Sequence, residues 1–370
     1  MARYRVALIG LGRIASTISD EIESDPGFLL PYGHMASYRE LPEVEVVAGA
    51  DPYVEQREAF QRRWGVERLY ADYREMLERE RPDIVSVATP ARARCPIVLD
   101  CARAGVRALW AEKPMAFSLA EADAMIDACA VNGVALAIGC HRRWDVFWMR
   151  MREMAHDGSI GRPLQVNAFL RGGISEPGVH IIDLVLYQAG GVVQWVFGEM
   201  ASDERAATDD DLEGNGYLVF DNGVRAFVRM WGATGADLDV EVVGETGRLR
   251  SVAQERQFEW WQLQSVDGRR ETVQRVFPRP HRIHSAGVGL VRDLIQCIET
   301  GKKPNCSGED GRAALEVAIA MRESHRRAGR RINLPLADRS LQIRSNESLR
   351  GELPRALQRA REAAAQAAAR

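Results

Sequence analysis

Lysine is scarce in this chain. Only Lys113, Lys302 and Lys303 occur among 370 residues, and the other 46 basic residues are arginine. Arginine keeps its proton near neutral pH, whereas lysine can release one when its surroundings lower its pKa. Each remaining lysine is therefore a candidate for chemistry. Lys302 and Lys303 sit in a Gly-Lys-Lys-Pro turn and read as solvated surface. Lys113 lies in Glu112-Lys113-Pro114, directly after an apolar run over residues 106–111. That is where an α/β sheet presents its working edge. A leftover lysine placed there by chance is the competing reading.

Other absences narrow the class. The six cysteines form no C-x-x-C pair and fall mostly in apolar stretches, which predicts reduced, buried thiols in a cytoplasmic protein. No apolar run is long enough to span a bilayer. Residues 1–4 lead at once into a strand pattern and leave no room for a signal peptide. A net charge of −3 gives no reason to expect nucleic acid or an anionic membrane as partner. His281-x-x-His284 resembles a metal pair, but no acid or cysteine stands at ligand spacing, so no metal is predicted. Internal repeats are absent. Low complexity is confined to the Ala/Arg-rich end after about Ser348.

What is present is a cofactor signature. Residues 4–9 read as a buried strand running into Gly10-Leu11-Gly12-Arg13-Ile14-Ala15, followed by a helix over about 14–22. Strand, glycine turn and helix together form the dinucleotide fingerprint. Gly10 permits the tight turn, and Gly12 lets the backbone approach a pyrophosphate. Ala15 keeps helix and strand close. The phosphate would rest on the N–H groups of Gly12, Arg13 and Ile14 at the helix start. Residues 44–50 read as the second strand, with Asp51 at its end. An acid there accepts hydrogen bonds from the adenosine ribose and repels a 2′-phosphate. This favours NAD, with NADP not excluded because Arg13 or Arg57 can reach a phosphate. Asp51 lies further from the glycines than usual, and residues 25–42 read as an inserted loop. A helix cap before Pro52 is the other reading of Asp51.

A mass of 41.2 kDa predicts two domains. The fold class is α/β. Strand and helix alternate through the first third, including a strand over 83–88 that ends in Thr89-Pro90, which predicts a doubly wound parallel sheet at 1–140. From about Leu164 the pattern becomes alternating strands with turns at Asp221-Asn222-Gly223 and Asp267-Gly268. This predicts a mostly antiparallel, open second sheet at 141–336, closed by helices near 287–299 and 308–328. Residues 337–370 form a C-terminal Ala/Arg-rich tail.

These segments resemble the Gfo/Idh/MocA oxidoreductases, relatives of glucose–fructose oxidoreductase and inositol dehydrogenase. The resemblance runs from Arg5 to about Leu336. It rests on the glycine turn, Thr89-Pro90, Glu112-Lys113-Pro114, Gly158-Ser159-Ile160-Gly161-Arg162-Pro163, Gly178-Val179-His180-Ile181-Ile182-Asp183 and Gly308-Glu309-Asp310-Gly311. It implies a bound nicotinamide cofactor held by Gly10, Gly12, Arg13, Ile14, Asp51, Thr89, Pro90, Glu112 and Lys113. It further implies a sugar, polyol or related substrate between the domains, and a homo-oligomer (dimer or tetramer) built on the open sheet. Glu112 would lie near the nicotinamide ribose. Lys113 would bond the reacting oxygen, with a cis bond to Pro114. His180 would be the acid/base, and Asp183 a structural or substrate contact.

The chemistry suits these types. Oxidising a secondary alcohol moves a hydride from carbon and a proton from oxygen. Histidine can take the proton, and an ammonium stabilises the developing oxyanion. Two positions depart from the family pattern. Glu176 stands where an aspartate is usual, four residues before His180; with Pro177 as a first helical residue it would face His180 across one turn. Arg94 falls where family members carry a histidine, and could bind a substrate anion or cover surface. His141, Arg142 and Trp144 follow the sixth strand and are candidate substrate contacts, Trp144 by stacking on a sugar face; pairing with acids and core packing are the alternatives. The function expected is an NAD(P)-dependent oxidoreductase of a sugar, cyclic polyol or sugar derivative. One alternative keeps NAD in place for transient oxidation, elimination of a glycosidic group and hydride return. Another is a non-enzymatic NAD-binding regulator.

Overall fold

The computed structural model describes residues 4–25, 27–232, 235 and 237–345. The Ala/Arg-rich end after Ser348 lies outside the described residues.

The first sheet is wholly parallel and follows the order β3-β2-β1-β4-β5-β6. Its strands are β1 (Tyr4–Ile9), β2 (Val44–Ala50), β3 (Leu69–Tyr70), β4 (Ile84–Val87), β5 (Ala108–Ala111) and β6 (Ala135–Ile138). β4 and β5 are buried throughout, as a sheet covered on both faces requires. The crossovers are α1 (Arg13–Ser16), α2 (Ile18–Glu21), α3 (His34–Arg39), α4 (Val54–Trp64), α5 (Tyr73–Glu80), α6 (Ala91–Arg103) and α7 (Leu119–Val131). The strand order reverses between β1 and β4. Ligands of open α/β sheets sit at such a switch point, beyond the carboxyl ends of the strands.

Three local expectations change. The helix expected over 14–22 breaks at Thr17 into α1 and α2. The supposed loop at 25–42 contains α3, which buries His34, Met35, Ser37 and Tyr38. The short β3 and the helix α5 were not anticipated.

A 3-10 turn, His141–Trp144, and α8 (Val146–His156) lead into the second unit. Its elements are β7 (Pro163–Phe169), α9 (Val179–Ala189), β8 (Val193–Met200), α10 (Asp203–Ala206), β9 (Gly214–Phe220), β10 (Arg225–Met230), β11 (Asp239–Gly244), β12 (Gly247–Val252), β13 (Gln257–Val266), β14 (Arg269–Arg275), α11 (Ala286–Thr300), α12 (Gly308–Arg326) and β15 (Ile332–Asn333). The sheet order is β14-β13-β12-β11-β7-β10-β9-β8-β15. β10 pairs parallel with β7, and the other pairings are antiparallel.

α9 and α12 cover one face of this sheet. The approach is closest at Gly198, where an added Cβ would come within 2.1 Å of the Met321 carbonyl oxygen. On the opposite face Phe197, Tyr217 and Phe227 are exposed on adjacent strands. Tyr217 is cross-strand partner to both the others.

Candidate active site

The glycine turn opens the site at the end of β1. Gly10 has φ +85°, and a Cβ there would meet the Ala88 carbonyl oxygen at 2.9 Å. Only glycine fits that positive φ beside neighbouring backbone. A Cβ on Gly12 would meet nothing within 4 Å, so the space over the turn is open. Thr89 Oγ1 is buried with no hydrogen-bond partner. An open turn beside an unanswered hydroxyl fits a polar cofactor lying across the switch point. Pro90 is exposed beside it, Ile14 is half-buried, and Arg13 reaches out to Glu21 Oε2 at 2.7 Å.

Asp51 turns inward to this loop. Its Oδ2 accepts from the Leu11 N–H at 2.9 Å and its Oδ1 from the Tyr53 N–H at 3.0 Å. It therefore shapes the glycine turn. Each oxygen retains a lone pair for a further donor.

Behind the turn lies a buried polar chain. His34 Nδ1 is 2.9 Å from Ser86 Oγ, and its Nε2 is 3.1 Å from Glu112 Oε1. The ring stacks on Trp110 with centroids 3.7 Å apart. Burial alone would raise the Glu112 pKa. The His34 hydrogen bond and the nearby His34, His141 and Lys113 outweigh it and bring the carboxyl down to about 2. Glu112 is therefore ionised at neutral pH. Nothing in the sequence marked His34, since α3 was read as loop.

Lys113 follows Glu112, and its bond to Pro114 is cis. Lys113 Nζ lies 3.4 Å from Glu176 Oε1, joining the first unit to the second. Glu176 does not stand one helical turn before His180, as expected. α9 begins at Val179, and Pro177 precedes it. Asp211 holds the loop instead. Its oxygens accept from the Ser175 N–H at 2.9 Å and the Glu176 N–H at 2.7 Å. Burial lifts the Asp211 pKa to about 6 against those hydrogen bonds. Asp211 sits 35 residues from Glu176, and no local spacing announces it.

His180 is half-buried at the start of α9, and among the described residues its ring makes no hydrogen bond. Burial, then Lys113, Arg142 and His141, push its pKa well below the usual histidine range. It is neutral at pH 7. His141 is buried too, its Nε2 has no hydrogen-bond partner, and burial lowers its pKa to about 4. Its ring meets Tyr32 edge-on with centroids 4.5 Å apart. Arg142 is salt-bridged to Glu255.

For three candidates the structure favours a structural role over a substrate contact. Trp144 is core: it is 3% exposed and donates from Nε1 to Asp293 Oδ2 at 2.9 Å, so it cannot stack on a sugar. Asp183, 1% exposed, is clasped by Arg143 at 2.8–3.1 Å and has no path to substrate. The Arg94 guanidinium reaches the carbonyls of Thr89 and Pro114, so it braces two turns of the site and does not reach for an anion. Except for Thr89, five residues from Arg94, these partners lie beyond the range of local pattern reading.

Residues 4–140 match the Gfo/Idh/MocA profile described as an oxidoreductase family with an NAD-binding Rossmann fold, and residues 148–250 match that family's C-terminal domain. The chain belongs to the Gfo/Idh/MocA oxidoreductase family. It is an NAD(P)-dependent oxidoreductase with an NAD-binding Rossmann domain. D-apiose dehydrogenase of Paraburkholderia graminis is 28% identical over 361 residues, covering 90% of this chain and 90% of that protein. Myo-inositol 2-dehydrogenase of Thermotoga maritima is 26% identical, covering 86% of this chain and 96% of the relative. Among solved structures, aldose-aldose oxidoreductase of Caulobacter crescentus superposes with a TM-score of 0.73 at 21% identity, covering 90% of this chain and all of that one. The WlbA dehydrogenase of Bordetella pertussis, in complex with NADH and UDP-GlcNAcA, gives 0.70 at 20% identity, covering 90% of this chain and 99% of its own. At such identities these structures share the fold.

Proposed function

We propose that this Gfo/Idh/MocA protein oxidises a secondary alcohol on a neutral sugar or cyclic polyol, with NAD as hydride acceptor. The observation that carries the reading is the contact of Lys113 with Glu176 across the two units, beside an unbonded, neutral His180. Gly10, Gly12, Arg13, Ile14, Thr89 and Pro90 would hold the dinucleotide, Asp51 its adenosine ribose, and Glu112 and Lys113 its nicotinamide end. When bound, NAD supplies the hydride-accepting carbon.

The chain's own groups manage the proton. Lys113 Nζ donates a hydrogen bond to the substrate oxygen and stabilises negative charge as it develops there. His180, with its ring free, accepts the hydroxyl proton. The cations that lower its basicity also keep it unprotonated and ready at neutral pH. Glu176 holds the Lys113 ammonium in place. The two relatives named above act, by their names, on a sugar and a polyol, which supports this substrate class. Neither name supports the elimination route or the regulator. The exposed row Phe197, Tyr217 and Phe227 supports a homo-oligomer formed through the open sheet face.

The test follows absorbance at 340 nm with NAD and with NADP across a panel of inositols, aldoses and methyl glycosides. NAD-linked turnover of a neutral polyol is expected. Failure to bind either nucleotide in a fluorescence titration would remove the cofactor reading. Nucleotide freed only by denaturation, without net turnover, would favour hydride return in place.

A further inference from the structure

The 3-10 turn follows β6 at the carboxyl edge of the parallel sheet, where ligands of such folds sit, and it carries Arg142 next to His141. The Arg142 charge also bears on His180 and on the Tyr32 hydroxyl. Its partner Glu255 comes from 113 residues away. One Glu255 oxygen takes the guanidinium, and the other accepts from Trp148 Nε1 at 2.6 Å. Arg142 is nearly enclosed by protein, so its charge is answered by Glu255 with little help from solvent.

Glu255 is held by an unusual turn. It sits in the connection between β12 and β13, where Ala253, Gln254 and Glu255 have φ of 55°, 56° and 66°. Each left-handed residue that is not glycine costs roughly 1–2 kcal/mol. The next hairpin turns on Asp267-Gly268 with two positive-φ residues, one of them glycine. Here the turn is pinned from outside. Arg256 Nη2 meets Asp25 Oδ1 of the first unit at 3.0 Å, and Gln254 Nε2 donates to Asp237 Oδ2 at 3.4 Å. Residues in strained conformations persist where surrounding structure holds them, and they cluster at functional sites. The result of this strain is one carboxylate set against one guanidinium.

An unpaired guanidinium in a pocket is a carboxylate receptor. We propose that Glu255 is a specificity-determining residue: by neutralising and fixing Arg142, it makes the pocket accept uncharged polyhydroxylated rings and reject those bearing a carboxylate. The inference rests on the substrate class proposed above. It adds a repulsive element to that site, since a substrate carboxylate would face Glu255 unless it displaced it.

The experiment compares methyl β-D-glucopyranoside with methyl β-D-glucuronide, which differ only in the group carried at C5. The readout is the ratio of their kcat/KM values, which does not depend on the fraction of enzyme folded. Glu255→Gln is expected to raise the glucuronide-to-glucoside ratio at least about tenfold. The Arg142→Met/Glu255→Met pair, with both charges gone, is expected to lose that gain. Saturation-transfer NMR on the NADH complex reads binding of the same two ligands. Should the wild type bind NADH but turn over neither, glucuronide binding gained by Glu255→Gln alone would still support the role of Glu255, and the substrate class would fail separately, on no turnover across the whole panel above. An unchanged ratio, no gain in binding, or a wild type that already prefers the glucuronide would overturn it.

Discussion

In the function proposed above, Lys113 places its charge where the oxygen of a secondary alcohol would become an alkoxide. Lys113→Met is expected to lower kcat by about a thousandfold, the range seen on losing a single oxyanion donor. NADH affinity should stay within a few-fold, as read by titration, because the glycine turn is untouched. His141 allows a separate pH test. Its folded pKa of about 4 lies below the ordinary 6.5 because burial disfavours the charged ring. The unfolded chain therefore binds more protons between those values, and stability from this group is lost as pH falls from 6.5 toward 4. His141→Gln should flatten the slope of urea unfolding free energy over that window by up to about 1.4 kcal/mol per pH unit. Lys113 was legible in the sequence because arginine had displaced lysine almost everywhere else. For Trp144 and Asp183 the sequence left structural and substrate roles open, since the choice depends on Asp293, far along the chain, and on Arg143, 40 residues from Asp183.

Among the elements, the loop before α9 decides where Glu176 and His180 stand. Asp211 answers two of its backbone N–H groups. Asp211→Ala should cost about 3 kcal/mol, the order expected for two unanswered buried donors. It should lower kcat/KM far more than it weakens NADH, a split visible when melting, titration and kinetics are run together. Gly178 is a second constraint on the loop. A Cβ there would come within 2.5 Å of the Gly173 and Ile174 carbonyl oxygens. Gly178→Ala is expected to destabilise the fold by roughly 1–3 kcal/mol in thermal melting and to displace His180 with the start of α9. Five of the six parallel strands and the alternating second sheet were readable because apolar runs and turn residues are local signals. α3 was missed because its Pro- and Gly-containing surroundings resemble a loop, while its formation depends on burying His34, Met35 and Tyr38.

For the whole molecule, the sheet carries α9 and α12 on one face and leaves Phe197, Tyr217 and Phe227 on the other. Exposed aromatic side chains paired across adjacent strands suit a self-complementary contact. Tyr217→Glu, at the centre of that aromatic row, should shift the sedimentation coefficient toward the monomer while leaving nucleotide binding intact. An unchanged coefficient would place any assembly elsewhere.

The contact between Lys113 and Glu176 joins two separately built layers of the chain. Part of the proton-handling machinery travels with the nucleotide layer and the rest with the substrate layer. If the layers slide, the ammonium parts from both Glu176 and His180 even though no side chain has been altered. In the function proposed above, the seam therefore makes proton transfer depend on the registration of two layers, and a shift between them would disable it as surely as a substitution.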